Sequence, residues 1–302
     1  MTTNHPSARS DNDSWDIVSS VGFTALNVAS ARALQSRRAQ PLASDPFAEA
    51  FVKAAGHPET EAQLANAGAE EDWDERTALW ADFFGSRTRY FDEYFAAAQT
   101  PQIVILAAGL DSRAYRLPWA RGSVLFEVDQ PEVLRFKAEV IGKLGAQPLV
   151  ERHEVAVDLR DDWAGALRGA GFDPAKPTAW LAEGLLIYLP GAAQDALFAQ
   201  IYELSAPGSH IGAENGFRPG DIARIREAAQ RGAALSPGES DFDVTTLWYD
   251  DPREDPQQWL GARGWAVAPV GRADLAAAQG RPFPELFAQL WRTSGYFTAQ
   301  RR

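Results

Sequence analysis

The sequence predicts an α/β fold with a doubly wound, seven-stranded, mostly parallel sheet, a helical N-terminal cap and an inserted lid. Three observations predict this architecture. Short, wholly apolar runs alternate with helical stretches from residue 102 onward, which is typical of a parallel sheet with helices on both faces. Most of the chain before that point has helical spacing. A segment rich in proline, glycine and charge interrupts the alternation at about 217–262, where we expect the lid.

We expect the helical cap to span residues 17–100, after a flexible polar tail at 1–16. The last stretch of the cap, 73–99, carries aromatic residues at helical spacing. This aromatic stripe comprises Trp80, Phe83, Phe84, Phe91 and Phe95. Such a stripe more often packs in a core than contacts a ligand, so core packing is the prediction.

The remaining residues, 101–302, are predicted to form the sheet and its covering helices. The candidate strands are 102–109, 123–129, 152–158, 178–189, 209–215, 264–270 and 294–301. The first five alternate with helices and are therefore expected to be parallel. The last two follow the lid and can form an antiparallel pair at one side of the sheet. Within the lid a helix is predicted at 220–233.

Composition excludes several classes of partner and site. The formal net charge of −12 repels phosphate backbones and anionic lipids, so neither nucleic acid nor a membrane is an expected partner. The sequence has no cysteine and four scattered histidines, which excludes thiol chemistry and argues against a metal site. It shows neither a secretory leader nor a membrane-spanning apolar run, so we expect a cytoplasmic protein. The charge decides nothing about oligomeric state.

The residues at the ends of the predicted strands form the candidate site, because ligands of open α/β sheets bind beyond those ends. Gly109 follows the first strand, where the absence of a Cβ lets a ligand approach the backbone. Asp129 ends the second strand, about twenty residues later, where a carboxylate can accept both hydroxyls of a ribose. Asp158 and Leu159 follow the third strand and suit the amine and a ring nitrogen of adenine. With Glu183 at the fourth strand, these residues predict an adenosine site.

The turn after the first strand does not suit a pyrophosphate. The dinucleotide motif G-x-G-x-x-G is absent, since its positions hold Ala107, Gly109 and Ser112. Asp111 in the same turn is a poor neighbour for phosphate. A cationic adenosine cofactor without phosphate fits better, and S-adenosylmethionine is such a molecule. A nicotinamide-dependent oxidoreductase is therefore the second hypothesis, and a non-catalytic S-adenosylmethionine-binding protein is the third.

Four motifs in order resemble the leucine carboxyl methyltransferase superfamily, and most closely its bacterial, actinobacterial-type branch of S-adenosylmethionine-dependent methyltransferases. The motifs are QIVILAAGLDSRAYRL, FEVDQPEVLRFK, VDLRDDW and AEGLLIYL. The stretches GSRTRYFDEYF and GWAVAPVGRADLAAAQGRP resemble the same branch. The resemblance covers most of the chain, from residue 20 to 300, and implies a Rossmann-like methyltransferase fold.

The resemblance also implies roles for individual residues. An arginine before the first strand grips the methionyl carboxylate in this superfamily, and Arg87 matches it, with Arg89 as a nearby alternative. The other cofactor-binding residues implied are Gly109, Asp129, Asp158, Leu159 and Glu183. No catalytic residue is assigned. One position departs from the family, because Ala107 stands where the first glycine of the turn is expected. Its methyl group is tolerable if the chain bends away from the ligand.

Each assignment has a structural alternative. Asp129 can instead cap the helix that begins near Pro131. Asp158 can pair with Arg160 or cap the next helix. Glu183 lies in an apolar run, where an unpaired acid is costly, so a functional role is favoured. For Arg113 and Arg116 structural salt bridges are expected instead, while Tyr188 and Asp111 stay open between structural and ligand contacts.

The expected reaction is transfer of a methyl group to an oxygen atom of a small-molecule acceptor. A carboxylate is ionised near neutral pH and needs no general base. A hydroxyl needs one, and the sequence shows no evident pairing of histidine with an acid. The sequence therefore slightly favours a carboxylate acceptor over a hydroxyl.

Overall fold

The computed structural model of the chain describes residues 20–215, 220–230 and 244–302. Within these ranges a single sheet is built from the strands β1 (Gln102–Leu106), β2 (Val124–Asp129), β3 (Glu151–Ala156), β4 (Thr178–Ala182), β5 (His210–Glu214), β6 (Trp265–Gly271) and β7 (Gly295–Arg301). The predicted tail at 1–16 and parts of the predicted lid lie outside the described residues.

The strand order is β3-β2-β1-β4-β5-β7-β6, which confirms the predicted doubly wound sheet. The pairs among β1 to β5 are parallel. Strand β7 lies between β5 and β6 and is antiparallel to both, so the late antiparallel pair is confirmed. The strand β1 is central in the sheet and buried along its whole length, because helices cover both faces there. Its apolar residues 103–106 follow from that position.

Helices cover both faces of the sheet. The first hundred residues contain α1 (Ser20–Arg37), α2 (Ala48–Ala55), α3 (Pro58–Ala67) and α4 (Glu75–Ala98). The strands β1 to β4 are followed by α5 (Arg113–Arg116), α6 (Pro131–Lys143), α7 (Trp163–Gly169) and α8 (Gly191–Leu204). The later helices are α9 (Asp221–Gln230), α10 (Pro256–Gly261), α11 (Arg272–Ala278) and α12 (Glu285–Leu290). None of the helices in the described ranges has the length and apolar character that a membrane crossing requires.

The core has two halves because side chains of a strand alternate between the faces of the sheet. Ile103 and Ile105 of β1 face one half, which the cap helices and α6 cover. Val104 and Leu106 face the other half, where α7, α8 and α10 pack. The cap helices thus bury one face of the sheet and stand beside the carboxyl ends of its strands. Treating residues 17–100 as a separate cap domain stays a prediction.

Two predicted strands end earlier than their apolar runs, and the backbone explains why. The run 102–109 leaves the extended conformation at Ala107, whose φ is +49°. The run 178–189 ends as a strand at Ala182, since Gly184 has a φ of +64° and Leu186–Tyr188 forms a 3-10 turn. Composition cannot distinguish a buried strand from a buried turn in such runs. Both turns carry residues of the candidate site.

The segment 217–262 contains α9 and α10, and the described part of the predicted helix at 220–233 is confirmed. The apolar residues of α9 pack against Leu290 of α12, whereas α10 packs on β6. Residues 272–294, between β6 and β7, also form helices, and the sequence analysis did not anticipate them. A lid role for 217–262 stays a prediction.

Replacing Ala107 with glycine tests the turn after β1. In the left-handed region an alanine costs about 1–2 kcal/mol relative to its usual conformations, and glycine avoids that cost. The greater freedom of glycine in the unfolded chain offsets about 0.4–1 kcal/mol of the gain. Ala107→Gly is therefore expected to raise the free energy of unfolding by up to about 1 kcal/mol, measured by urea denaturation.

The matched control is Ala108→Gly, since Ala108 is buried beside Ala107 without a positive φ. In that variant the free energy of unfolding is expected to fall by about 1 kcal/mol. Equal destabilisation by the two variants would contradict the strained conformation of Ala107.

Candidate functional site

A cavity of about 360 Å³ lies at the carboxyl ends of β1 to β5, beneath the cap helices. Its volume is that of an ordinary small-molecule site. The six sequence-predicted site residues all line it: Arg87, Gly109, Asp129, Asp158, Leu159 and Glu183. The cavity lies where β1 has β2 on one side and β4 on the other, which is the topological switch point at which open α/β sheets bind ligands.

Asp129 holds the turn after β1 in place. Its Oδ2 accepts a hydrogen bond from the Gly109 N–H at 2.6 Å, and its Oδ1 accepts one from the Gln130 N–H at 2.7 Å. The alternative role, capping α6, is not seen, because these bonds go to the turn and to the residue before the helix. Burial raises the pKa of the Asp129 carboxyl, although the two N–H donors counteract it.

The backbone conformation at residue 109 favours glycine, whereas the space around it would admit a side-chain Cβ. The φ of Gly109 is +48°, a conformation that favours glycine. An added Cβ would meet nothing nearer than the Ala107 carbonyl oxygen at 3.8 Å. The cavity therefore begins at a turn whose shape depends on two left-handed residues, Ala107 and Gly109.

Asp158 pairs with Arg160, which was the structural alternative to a ligand-binding role. It accepts hydrogen bonds from the Arg160 backbone N–H at 2.8 Å and from Arg160 Nη2 at 2.7 Å, and a further one from Gln130 Nε2 at 2.8 Å. Burial alone would raise the pKa of Asp158, but the Arg160 bonds hold it below its usual range. The helix α7 is capped by Asp162 instead, which accepts from the Gly165 N–H at 2.8 Å.

Glu183 is half-buried, and its carboxylate is paired. Its carboxylate contacts Arg87 Nε at 2.8 Å and Arg113 Nη1 at 2.8 Å. Arg87 also contacts Glu214 Oε1 through Nη1 at 3.0 Å. Arg89, the alternative to Arg87, instead forms an exposed ion pair with Glu93 and is not among the described residues that line the cavity.

Further ion pairs extend from Glu183 on one side and from Arg87 on the other. On one side Arg113 contacts Asp111 and, at 2.7 Å, Asp92, which also contacts Arg116 at 2.6 Å. The expected structural salt bridges of Arg113 and Arg116 are confirmed. Asp111 pairs with Arg113 and also lines the cavity. Its position therefore suits a structural contact and a ligand contact alike.

On the other side Glu214 contacts Arg272, and its Oε1 accepts the Gly184 N–H at 2.7 Å. Arg272 also donates to Ser294 Oγ at 2.9 Å and to the Tyr296 hydroxyl. Burial would raise the pKa of Glu214, but Arg87 and Arg272 hold it below its usual range. Among the described residues these contacts form a connected set, here called the ion chain: Arg116, Asp92, Arg113 with its two further carboxylate partners Asp111 and Glu183, and then Arg87, Glu214 and Arg272.

Glu214 and Arg272 line the cavity but were not among the predicted site residues. Glu214 ends β5, so the strand-end rule that selected Asp129 would have found it. Arg272 begins α11, in a segment where no helix was expected, and the sequence offered no signal for it.

Aromatic rings also line the cavity. We call this surface the aromatic wall; it consists of Trp80, Phe83, Phe84, Trp248, Phe287 and Trp291. Phe91 and Phe95 pack in the core as predicted for the whole stripe. Trp80, Phe83 and Phe84 pack against one another but also border the cavity, a difference that helical spacing cannot reveal. Tyr188, from the turn after β4, lines the cavity too, and burial raises the pKa of its phenol.

The chain is similar to a known protein family over this architecture. A family model described as leucine carboxyl methyltransferase matches residues 25–202. A relative from Mycobacteroides abscessus is 52% identical, with 97% of this chain and 99% of the relative covered. A relative from Rhodococcus jostii is 51% identical, with 96% and 99% covered. Both are named "Putative S-adenosyl-L-methionine-dependent methyltransferase". The chain therefore belongs to the leucine carboxyl methyltransferase family, in the actinobacterial-type branch that its motifs resemble.

Proposed function

We propose that this methyltransferase transfers the methyl group of S-adenosylmethionine to an oxygen atom of a small-molecule acceptor, with a carboxylate preferred over a hydroxyl. The enzyme class and the cofactor follow from the family and the relatives. The observation that carries the proposal is a single cavity lined both by charged strand ends and by an aromatic wall. The strand ends suit the cofactor, and the wall leaves room for an acceptor beside it.

The adenosine half of the proposed cofactor site rests on Asp129, Asp158 and Leu159. A carboxylate oxygen that accepts one N–H keeps a further lone pair, so Asp129 can still accept the ribose hydroxyls. Asp158 keeps the same capacity for the adenine amine, and Leu159 can offer its backbone N–H to the ring. Asp111, in the turn after β1, is a poor neighbour for a pyrophosphate, which supports S-adenosylmethionine over a nicotinamide cofactor. Family membership likewise decides against an oxidoreductase.

The methionyl half rests on the Arg87–Glu183 pair. An amino-acid group carries a carboxylate and an ammonium, and these charges match Arg87 and Glu183 respectively. Each residue also has a second partner, Glu214 for Arg87 and Arg113 for Glu183. A zwitterionic ligand can therefore exchange places with part of the pair without leaving a buried charge unmatched.

The bound cofactor supplies an electrophilic methyl group on a sulfonium. The acceptor oxygen forms a bond to the methyl carbon as the carbon–sulfur bond breaks, and the sulfur keeps the electron pair. A carboxylate acceptor gives a methyl ester with no proton to remove. The protein then needs mainly to align the reactants and exclude water.

The side chains around the cavity favour that acceptor over a hydroxyl. No histidine is found among the described lining residues. The carboxylates of Asp111, Asp129, Asp158, Glu183 and Glu214 there are each engaged by N–H donors or arginines. Burial alone would raise the pKa of Asp111, Asp158 and Glu214, but arginines hold it below the usual carboxyl range, so these three carboxylates are weak bases for a hydroxyl.

The test of the proposed function begins with calorimetric titration of the protein with S-adenosylmethionine, S-adenosylhomocysteine and NAD. We expect saturable binding of the two sulfur compounds and none of NAD. Incubation with S-adenosylmethionine and a panel of carboxylic acids and alcohols should then give methyl esters, identified by mass and by cleavage in alkali. Alkali-stable ethers as the sole products would overturn the carboxylate preference, and binding without any turnover would support the non-catalytic hypothesis.

Asp129→Ala is expected to weaken binding of S-adenosylmethionine by about 1–3 kcal/mol, because the ribose hydroxyls lose their acceptor. Calorimetry measures the change. Asp162→Ala is the control, since Asp162 caps α7 and does not line the cavity in the described structure. It should lower stability without changing affinity. An unchanged affinity in Asp129→Ala would remove Asp129 from the proposed cofactor site.

Arg87→Lys tests the methionyl half while keeping a positive charge between Glu183 and Glu214. Wild type should prefer S-adenosylmethionine to its decarboxylated analogue, and the variant should reduce that preference by roughly tenfold, because lysine cannot reproduce the planar arginine contact. Competition calorimetry with both ligands gives the ratio. Arg89→Lys, on the exposed pair with Glu93, should leave the ratio unchanged. Equal affinity of wild type for the two ligands would refute the role of Arg87.

A further inference from the structure

The aromatic wall is assembled from three separate parts of the chain. Trp80, Phe83 and Phe84 come from α4, and Trp248 comes from the segment before α10. Phe287 and Trp291 come from α12 and the residue that follows it, between β6 and β7. Rings from segments distant in the sequence therefore meet at the cavity. Their apolar surface contrasts with the charged side chains at the strand ends.

Phe83 is the centre of this wall. Its ring centroid lies 5.1 Å from that of Phe84, 5.6 Å from that of Phe287 and 5.2 Å from that of Trp291. The first two contacts are edge-to-face, the arrangement that aromatic rings prefer. Phe83 and Phe84 are buried, whereas the other four rings of the wall are half-buried and leave surface for a ligand.

Two arginines of the ion chain contact rings of the aromatic wall. The Arg87 guanidinium lies 4.7 Å from the Phe84 ring, and the Arg272 guanidinium lies 5.1 Å from Phe83 and 5.6 Å from Trp291. Both arginines are also bound to Glu214. Contacts of this kind attract a cation to a ring face. The positions of the rings are thus coupled to the charges that the proposed cofactor site uses.

A ligand beside this wall gains by covering apolar rings and loses wherever it buries a polar group without a partner. A small acid would leave the rings in contact with water. A long alkyl chain would cover them but would lose more rotational freedom than a rigid ring system. Ring-bearing molecules can in addition stack on, or meet edge-on, the rings of the wall.

Resting on the proposed function, we infer that the acceptor is a carboxylic acid with a rigid, ring-bearing apolar body, and that Phe287 and Trp291 help to select it. The body lies against the aromatic wall, and the carboxylate faces the strand ends. One carboxylate oxygen forms the new bond to the methyl carbon as the carbon–sulfur bond breaks, and the sulfur leaves with the electron pair. A neutral methyl ester results.

The experiment compares four acceptors at saturating S-adenosylmethionine: 2-naphthoate, octanoate, acetate and 2-naphthol. We expect kcat/KM for 2-naphthoate to exceed that for octanoate by at least roughly tenfold, the ratio that 1.4 kcal/mol gives, with acetate lower still. Binding of the same compounds to the protein saturated with S-adenosylhomocysteine is measured by calorimetry, which needs no turnover. The order of affinities should be the same.

Phe287→Leu keeps an apolar side chain but removes the ring. The variant should raise KM and weaken binding for 2-naphthoate by a larger factor than for octanoate, and its cofactor affinity is measured separately by titration with S-adenosylhomocysteine. Phe136→Leu is the matched control, because Phe136 is a half-buried helical phenylalanine that does not line the cavity in the described structure. It should leave all acceptors and the cofactor unchanged.

The outcomes separate this inference from the proposed function. Methylation of octanoate or acetate as efficiently as 2-naphthoate would overturn the inference and leave carboxyl methylation standing. An equal effect of Phe287→Leu on every acid would also overturn it. Methylation of 2-naphthol but not of 2-naphthoate would overturn the carboxylate part of both. Failure of 2-naphthoate to bind the complex with S-adenosylhomocysteine would overturn the inference even without turnover.

Discussion

The structure of the site depends on the ion chain, in which buried and half-buried arginines and carboxylates pair with one another. Burying a charge is expensive unless an opposite charge lies beside it, so each member requires its neighbours. The chain connects α4, the turn after β1, the ends of β4 and β5, and the start of α11. Four arginines of the ion chain are matched by four carboxylates, so these eight side chains together carry no formal net charge. The distances that define the cavity are therefore set by charge pairing across the fold.

Arg87 and Arg272 link the two halves of the cavity. Each arginine pairs with Glu214 and also lies against a ring of the aromatic wall. A ligand that draws Arg87 toward its own carboxylate acts on the same residue that supports Phe84. Occupation of the charged half and the shape of the aromatic half are thus physically connected through a single carboxylate, Glu214.

Much of this arrangement could be predicted from the sequence, because apolar runs identify parallel strands and ligands bind beyond their ends. That rule selected Asp129, Asp158 and Glu183 correctly as residues of one cavity, and applied to β5 it would have added Glu214. Helical spacing shows which rings of α4 are buried, but not whether a sheet or a cavity covers them. Arg272 could not be predicted, since its partners Ser294 and Tyr296 approach it through the pairing of β6 with β7.

The position of β7 in the sheet has a consequence for biosynthesis. Residues 295–301 pair with β5 as well as β6, so the sheet beyond β5 cannot close until this late segment has been synthesised. Long-range pairings of this kind form slowly, and chains that are still being made expose the unpaired edge meanwhile. The strand ends that carry Gly109, Asp129 and Asp158 are translated well before Arg272, Phe287 and Trp291. On the ribosome the ends of β1 to β3 thus precede the part of the cavity lining that Arg272, Phe287 and Trp291 contribute.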